Sequence, residues 1–362
     1  ELNSNVKVAD IFKYKSIDKL LGHCLNIDTV TIPRILEKGT VLSFAQERLW
    51  FIEEYGAGAS AYHVPLICEL NQGIDVSGMK YSIQRIVSRH EILRSTVEQR
   101  ENLDHALQVV NENPLSIKEI YLAKEANYYE EIKQEILRPF NLSKEYPLRA
   151  ILYHVGMEDE ELNRNNIQIK VAGKEQKSGK SRAKDKVILL INMHHIASDG
   201  WSVDILLREL VEYYKAYVRG DLNFQLPTLP IQYKDYAFWQ RGYLQGNVLE
   251  EQVNYWQKKL SDYATLELPL DYTRPSQISY AGANTNFTLD RKTSHKLREL
   301  AKINGSTLHS VLLSAFSILL SKYTGQKDIV TGSPIANRHY SQANDLIGFF
   351  VNTQVNRVRL DA

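Results

Sequence analysis

The chain has 362 residues, room for about two compact domains at ~150 residues each. Apolar residues make up 43% and charged residues 24%, which excludes a wholly disordered or membrane-embedded chain. Lys and Arg number 44 against 43 Asp and Glu, so the net charge of +1 gives no electrostatic case for nucleic acid or an anionic membrane as partner. Two cysteines, Cys24 and Cys68, cannot build a disulfide framework or a cysteine-rich metal site, and they fit a reducing cytoplasm. The longest apolar runs, 187–191 and 311–320, fall well short of the ~18 residues of a transmembrane helix. The chain begins Glu1-Leu2-Asn3-Ser4, with no signal peptide and no initiator Met, as expected of a piece of a longer polypeptide.

In chain order, Val8, Ile11, Phe12, Ile17, Leu20 and Leu21 recur at helical spacing, and a polar stretch with Pro33 and Gly39 reads as a linker. A helix capped by the Ser43 hydroxyl follows, then a strand over 64–70. Asp75 caps a helix with Met79, Ile83, Ile86 and Val87 on one face. A strand over 148–155 precedes residues 157–186, so polar that a solvated insertion is expected. Residues 186–193 are apolar on both alternating faces, the pattern of an interior strand. A helix with Val203, Leu206, Leu207, Leu210 and Tyr214 follows, with Ser202 as its expected cap. Further helices are expected around 236–241, 251–260, 294–303 and 308–323, with strands over 328–332 and 349–358. No internal repeat is evident.

The segment His194-His195-Ile196-Ala197-Ser198-Asp199-Gly200-Trp201-Ser202 joins the interior strand to a helix, a place where α/β proteins put their sites. Adjacent strand residues face opposite ways, so one histidine is structural and the other is presented. An imidazole exchanges or orients a proton near neutral pH, which suits transfer to an amine or hydroxyl. Asp199 either orients a histidine or is held by a cation and shapes the turn. The histidines are adjacent and no cysteine is near, so no metal site is expected. Neither a Gly-x-Ser-x-Gly elbow nor a phosphate-binding glycine loop is present, leaving Ser43 and Ser333 as caps or turn residues on local grounds.

The histidine segment resembles the signature of condensation domains of non-ribosomal peptide synthetases. Residues 42–51 (LSFAQERLWF), Arg89-His90-Glu91-Ile92-Leu93-Arg94, 233–239 (YKDYAFW) and 347–353 (IGFFVNT) resemble that family's other motifs in order. Residues 138–142, 268–271 with Arg274-Pro275, and 323–326 before 331–334 agree as well. Residues 1–25 resemble the tail of a peptidyl carrier domain, although Lys15 stands where such tails often have Pro.

The resemblance implies an α/β fold like that of chloramphenicol acetyltransferase, two αβ sandwich lobes forming a V with a tunnel between them. The implied layout is a carrier tail over 1–25, a linker over 26–40, an N-terminal lobe over 41–220 and a C-terminal lobe over 221–362, the latter incomplete because family members continue further. The implied reaction transfers a donor carrier's acyl or peptidyl thioester to the amine of an acceptor carrier's aminoacyl group. The functional histidine maps to His195, with His194 and Gly200 shaping the motif and a backbone N–H near Gly200 aiding an oxyanion. Asp199 is expected to form a buried ion pair with Arg94, or with Arg89 as second candidate. Trp201, Ser333 and Asn352 are expected at the tunnel or substrate, with plain packing the main role of Trp201 and Tyr236. Trp201 after Gly200 fits condensation better than epimerisation, and the two histidines argue against heterocyclisation. No cofactor is expected to bind directly, since the phosphopantetheine arms belong to the carriers. Expected partners are upstream and downstream carrier domains and an adenylation domain within a cytoplasmic multidomain synthetase, this domain being monomeric there. The alternative is a scaffold of the same fold that only recruits carriers or enzymes.

Overall fold

The computed structural model describes residues 31–55, 59–71, 73–99, 105–123, 126–156, 186–274, 276 and 285–360. The carrier-like tail over 1–25, the start of the linker and nearly all of the expected insertion over 157–186 lie outside these residues.

The chain divides into two compact units. The first takes the described residues up to Tyr243 together with Ala336–Val351, and the second takes Leu244–Ile335 and the chain from Asn352 on. This differs from the contiguous lobes expected at 41–220 and 221–362. The helix Tyr233–Tyr243 buries Tyr233, Tyr236 and Ala237 in the first unit's core, where Leu346, Ile347 and Phe350 join them.

In the first unit, β1 (Gly39–Val41), β3 (Ser95–Glu98) and β4 (Leu107–Val110) form an antiparallel sheet in the order β1-β4-β3. A second sheet has the order β2-β7-β6-β5, from β2 (His63–Leu70), β5 (Ile117–Leu122), β6 (Leu148–Val155) and β7 (Lys186–His194). Only β5 and β6 run parallel in it. The continuous apolar runs of β6 and β7 are explained by cover on both faces. Ala150, Leu152, Leu189, Ile191 and Met193 share a core with α2 (Val76–Arg89) and α4 (Gly200–Val218). The alternate residues Ile151, Tyr153, Ile188 and Leu190 pack with Ile132 of α3 (Tyr128–Leu137). Each such aliphatic side chain contributes about 1.5–3 kcal/mol by leaving water.

Local signals set the helix starts. Before α1 (Phe44–Tyr55), Ser43 and Gln46 make a reciprocal capping box, Gln46 N–H donating to Ser43 Oγ at 3.1 Å and Ser43 N–H to Gln46 Oε1 at 3.0 Å. Asp75 caps α2 by accepting from the N–H groups of Ser77 and Gly78. Helix α4 starts two residues ahead of its expected cap: Asp199 is the cap, and it accepts the Ser202 N–H at 2.9 Å.

Helix α5 (Tyr233–Tyr243) closes the first unit. Tyr233 Oη donates to Phe349 O at 2.6 Å and lies 2.9 Å from Ser43 Oγ, so one buried phenol ties α5 to the cap of α1 and to the returning segment. Burial pushes that phenol far above its ordinary range, keeping its proton available to donate. The expected strand from 349 starts only at Asn352, because the backbone of 348–350 is committed to side chains of the first unit.

The second unit comprises α6 (Gly246–Lys259), α7 (Arg291–Ile303), α8 (Leu308–Thr324), β8 (Asp328–Ile335) and β9 (Asn352–Arg359), with β8 and β9 antiparallel. Ala301, Leu320 and Ile329 are buried in it, and Arg357 binds Asp328 and the carbonyls of Lys259 and Ser261. Among the described residues no single helix is long and apolar enough to cross a membrane.

Gly348 lies against Tyr233 so closely that an added Cβ would fall 2.0 Å from ring carbon Cδ2. Gly348→Ala is expected to destabilise the chain by at least about 1–3 kcal/mol, read as a lower urea midpoint at unchanged m.

Candidate active site

Strand β7 ends at His194, and the chain turns through a single 3₁₀ turn, His195–Ala197, into the cap of α4. His194, the last residue of β7, is fully buried, and His195, the first residue of the turn, is partly exposed. His194 Nδ1 accepts the Ile196 N–H at 3.0 Å, so its proton resides on Nε2, 3.3 Å from Glu53 Oε2. His63 stands opposite His194 in the β2–β7 register, with its ring 6.1 Å away.

His195 Nδ1 lies 2.8 Å from the carbonyl of Ser198, which only accepts, so Nδ1 carries the proton and Nε2 presents its lone pair. The edge of Phe349 packs on the ring, with centroids 5.4 Å apart. Burial pushes the imidazole below its ordinary value, and the Ser198 carbonyl and the Asp199 charge restore only part of that shift. The ring is therefore neutral near pH 7.

Asp199 is 1% exposed and fully engaged. Its Oδ1 accepts from Ser202 N–H at 2.9 Å, Ser202 Oγ at 2.7 Å and Arg338 Nη2 at 3.2 Å, and its Oδ2 accepts the Phe350 N–H at 3.1 Å. Arg338 also donates to the carbonyls of Ala343 and Leu346 and lies over the Phe350 ring at 4.1 Å. Burial pulls this guanidinium below its ordinary value, with Asp199 as the main opposing influence. The buried ion pair expected for Asp199 thus exists, with a different partner.

Neither Arg94 nor Arg89 is that partner. Arg94 donates to the Asn111 carbonyl and lines a polar cavity with Gln84, Ser88 and Asn113. Arg89 Nε donates to Glu209 Oε1 at 3.0 Å, and His90 Nε2 meets Glu209 Oε2 at 2.9 Å. His90 Nδ1 accepts the Ile347 N–H at 3.3 Å, which fixes its proton on Nε2. Burial holds His90 below its ordinary value against the pull of Glu209. Burial raises Glu209, but the His90 hydrogen bond and the Arg89 charge outweigh it and leave the carboxyl below its usual range.

Gly200 opens α4 at an exposed position where an added Cβ would meet nothing within 4 Å. Trp201 is 51% exposed rather than packed away, and its indole N–H donates to Asn344 O at 3.3 Å. Tyr236 is buried against Phe350 and Trp239, a packing role. Ser333 and Asn352 belong to the second unit: Ser333 Oγ accepts from Asn356 Nδ2 at 2.8 Å, and Asn352 Oδ1 accepts the Thr353 N–H at 2.8 Å.

Sequence reasoning missed Glu53, Glu209 and Arg338. Glu53 lies four residues after buried Leu49, and Glu209 three after buried Leu206, so each interrupts an apolar helix stripe with a charge. That interruption was the available signal. Arg338 carries no comparable mark.

The family model for the condensation domain matches residues 37–162 and 179–362, and the chain belongs to that family. It is 35% identical to one of the linear gramicidin synthase proteins of Brevibacillus parabrevis over 96% of this chain and 4% of that protein. It is 35% identical to one of the plipastatin synthase proteins of Bacillus subtilis over 88% of this chain and 11% of that one. The bassianolide nonribosomal cyclodepsipeptide synthetase of Beauveria bassiana is 34% identical over 98% of this chain and 10% of its own length. The chain thus spans 4–11% of these relatives. Among solved structures, the X-domain in a complex with OxyB from teicoplanin biosynthesis superposes with a TM-score of 0.76 at 20% identity, covering 93% of this chain and 69% of that one. The condensation domain of the Monacolin K polyketide synthase MokA gives 0.65 at 19%, covering 91% and 69%. These likenesses establish the α/β condensation-domain fold, like that of chloramphenicol acetyltransferase.

Asp199→Ala strands the buried Arg338 charge and is expected to cost about 3–5 kcal/mol in urea unfolding. A double-mutant cycle is expected to couple Asp199 with Arg338 by about 0.5–3 kcal/mol, and Asp199 with Arg94 by about zero. As for pH, the lowered His90 means that the unfolded chain takes up a proton from about pH 6.5 downward that the folded chain refuses. Stability present above that pH is expected to fall as the solution is acidified from about 7 to about 5.5, and to fall less in His90→Gln, read from urea midpoints.

Proposed function

We propose that this chain forms amide bonds within a non-ribosomal peptide synthetase, transferring a donor carrier's acyl or peptidyl thioester to the amine of an aminoacyl group on an acceptor carrier. The observation that carries the reading is the state of His195: a neutral ring, Nδ1–H fixed on Ser198 O at 2.8 Å, and the Nε2 lone pair presented at a partly exposed position.

The amine nitrogen bonds to the thioester carbonyl carbon, the C–S bond breaks, and the donor arm leaves as a thiol. Nε2 of His195 accepts the hydrogen bond or the proton that the amine gives up, and the proton passes to the departing sulfur. Oxyanion stabilisation comes from a backbone N–H at the start of α4, where Gly200 leaves the approach clear of side-chain atoms. Much of the acceleration comes from holding two tethered reactants together, since orientation is worth about 7–11 kcal/mol. His194, Asp199, Arg338 and Ser202 hold the turn. Trp201 lies at the substrate's approach.

The substrates arrive on phosphopantetheine arms of upstream and downstream carrier domains, next to an adenylation domain, in a synthetase acting in the cytoplasm. The domain acts as a monomer in that assembly and binds no cofactor of its own.

Carriers loaded with acyl and aminoacyl pantetheine, mixed with the full synthetase polypeptide, are expected to yield dipeptidyl-carrier detectable by mass spectrometry. His195→Ala is expected to lower the rate by about 10²-fold or more. Equal product from both would replace catalysis with carrier or enzyme recruitment. Because burial lowers His195, the acidic limb of the pH–rate profile is expected below pH 6.5, the ordinary imidazole value.

A further inference from the structure

The 3₁₀ turn that carries His195 is held by one face of helix α1. Gln46 and Glu53 lie seven residues apart on that helix, two turns along the same face. Gln46 is 1% exposed and donates its Nε2–H to the Ile196 carbonyl at 3.1 Å. Its own backbone N–H and side-chain oxygen are fixed in the capping box with Ser43. One turn farther than Leu49, Glu53 offers a carboxylate whose side chain is only 8% exposed, with Oε2 3.3 Å from His194 Nε2. His194 in turn accepts the Ile196 N–H on Nδ1. Both polar groups of Ile196 are therefore anchored to α1, the carbonyl directly and the N–H through His194.

From this we infer that Glu53 is a positioning residue for His195, a role that rests on the amide-forming reading above. An imidazole accepts on Nδ1 only while its proton is on Nε2. A buried acceptor facing Nε2 selects that tautomer, and in its absence the proton is free to move to Nδ1, where it would face the Ile196 N–H donor to donor. Glu53 thus keeps Ile196, and the neighbouring ring of His195, in place without touching substrate. The adjacent His63 ring donates Nδ1–H to the Ile136 carbonyl and its Nε2 meets no hydrogen-bond partner, and the acceptor that the structure places within reach of His194 Nε2 is the Glu53 carboxylate.

Two variants test the inference. Glu53→Met keeps the length and helix propensity of the side chain and removes the acceptor, and Glu53→Gln keeps an acceptor oxygen without the charge. Nitrogen-15 spectra of the histidine rings are expected to show His194 as the Nε2–H tautomer in the wild type and in Glu53→Gln. In Glu53→Met this signal is expected to be lost to a mixture, with exchange of the Ile196 amide faster by about 10-fold. An unchanged ring signal and unchanged exchange in Glu53→Met would overturn the clamp, and this readout needs no turnover. In the carrier assay, Glu53→Met is expected to lose about 10–100-fold in kcat at unchanged KM for the loaded carriers, as a displaced catalytic group would, with recovery in Glu53→Gln. A shifted ring signal with unchanged kcat in a chain that does make dipeptide would overturn the positioning role. Absence of dipeptide from the wild type would count against the amide-forming reading, and the spectra alone would then decide the clamp.

Discussion

One buried carboxylate organises the first unit. Asp199 caps α4 through Ser202, takes the backbone N–H of Phe350 and neutralises Arg338, all at 1% exposure. A charge of that burial is tolerated only when its lone pairs are filled and an opposite charge lies beside it. The consequence reaches beyond the pair. Arg338 Nη1 donates to the carbonyls of Ala343 and Leu346, so the residue that balances the acid at the head of α4 also shapes the loop that returns from the second unit.

On that frame the histidine turn is divided into a fixed part and a presented part. His194, Ile196 and Asp199 are buried and spend their polar groups inward, while His195, partly exposed, places its Nδ1 on the Ser198 carbonyl. A neutral, oriented imidazole is what acyl transfer between an amine and a thioester asks of a protein group. The rest of the rate in such a reaction belongs to the positioning of the reactants. The arrangement fits a family whose curated relatives are peptide synthetases much longer than this chain and whose fold recurs in X-domains and polyketide-associated condensation domains.

Much of this was legible in the residues. The runs of β6 and β7 declared themselves by being apolar on both faces, and α2 by its Asp75 cap and its stripe from Met79 to Val87. The start of α4 was harder, because Asp199 and Ser202 are both capping types and stand three apart. The sequence pattern favours the Ser202 hydroxyl as the cap, whereas the carboxylate three residues earlier takes that place. Short strands such as β1, with three residues, and β3 and β4, with four, are too brief to show a period and form because neighbours present open edges to them. The partner of Asp199 was misassigned for a plainer reason. Arg94 and Arg89 sit in a motif that resembles the family's, whereas Arg338 lies 139 residues downstream in a segment with no apolar pattern to place it. Tertiary pairing of charges over such a separation leaves no local trace.

The return of residues 336–351 to the first unit has a consequence for biosynthesis. Asp199 leaves the ribosome 139 residues ahead of the guanidinium that balances it, a delay of about 7–28 s at ~5–20 residues per second. During that interval the nascent first unit carries an unbalanced acid at the head of α4 and lacks the aromatic plug of Phe349 and Phe350. It therefore cannot reach its final packing before the intervening residues 244–335 have been synthesised.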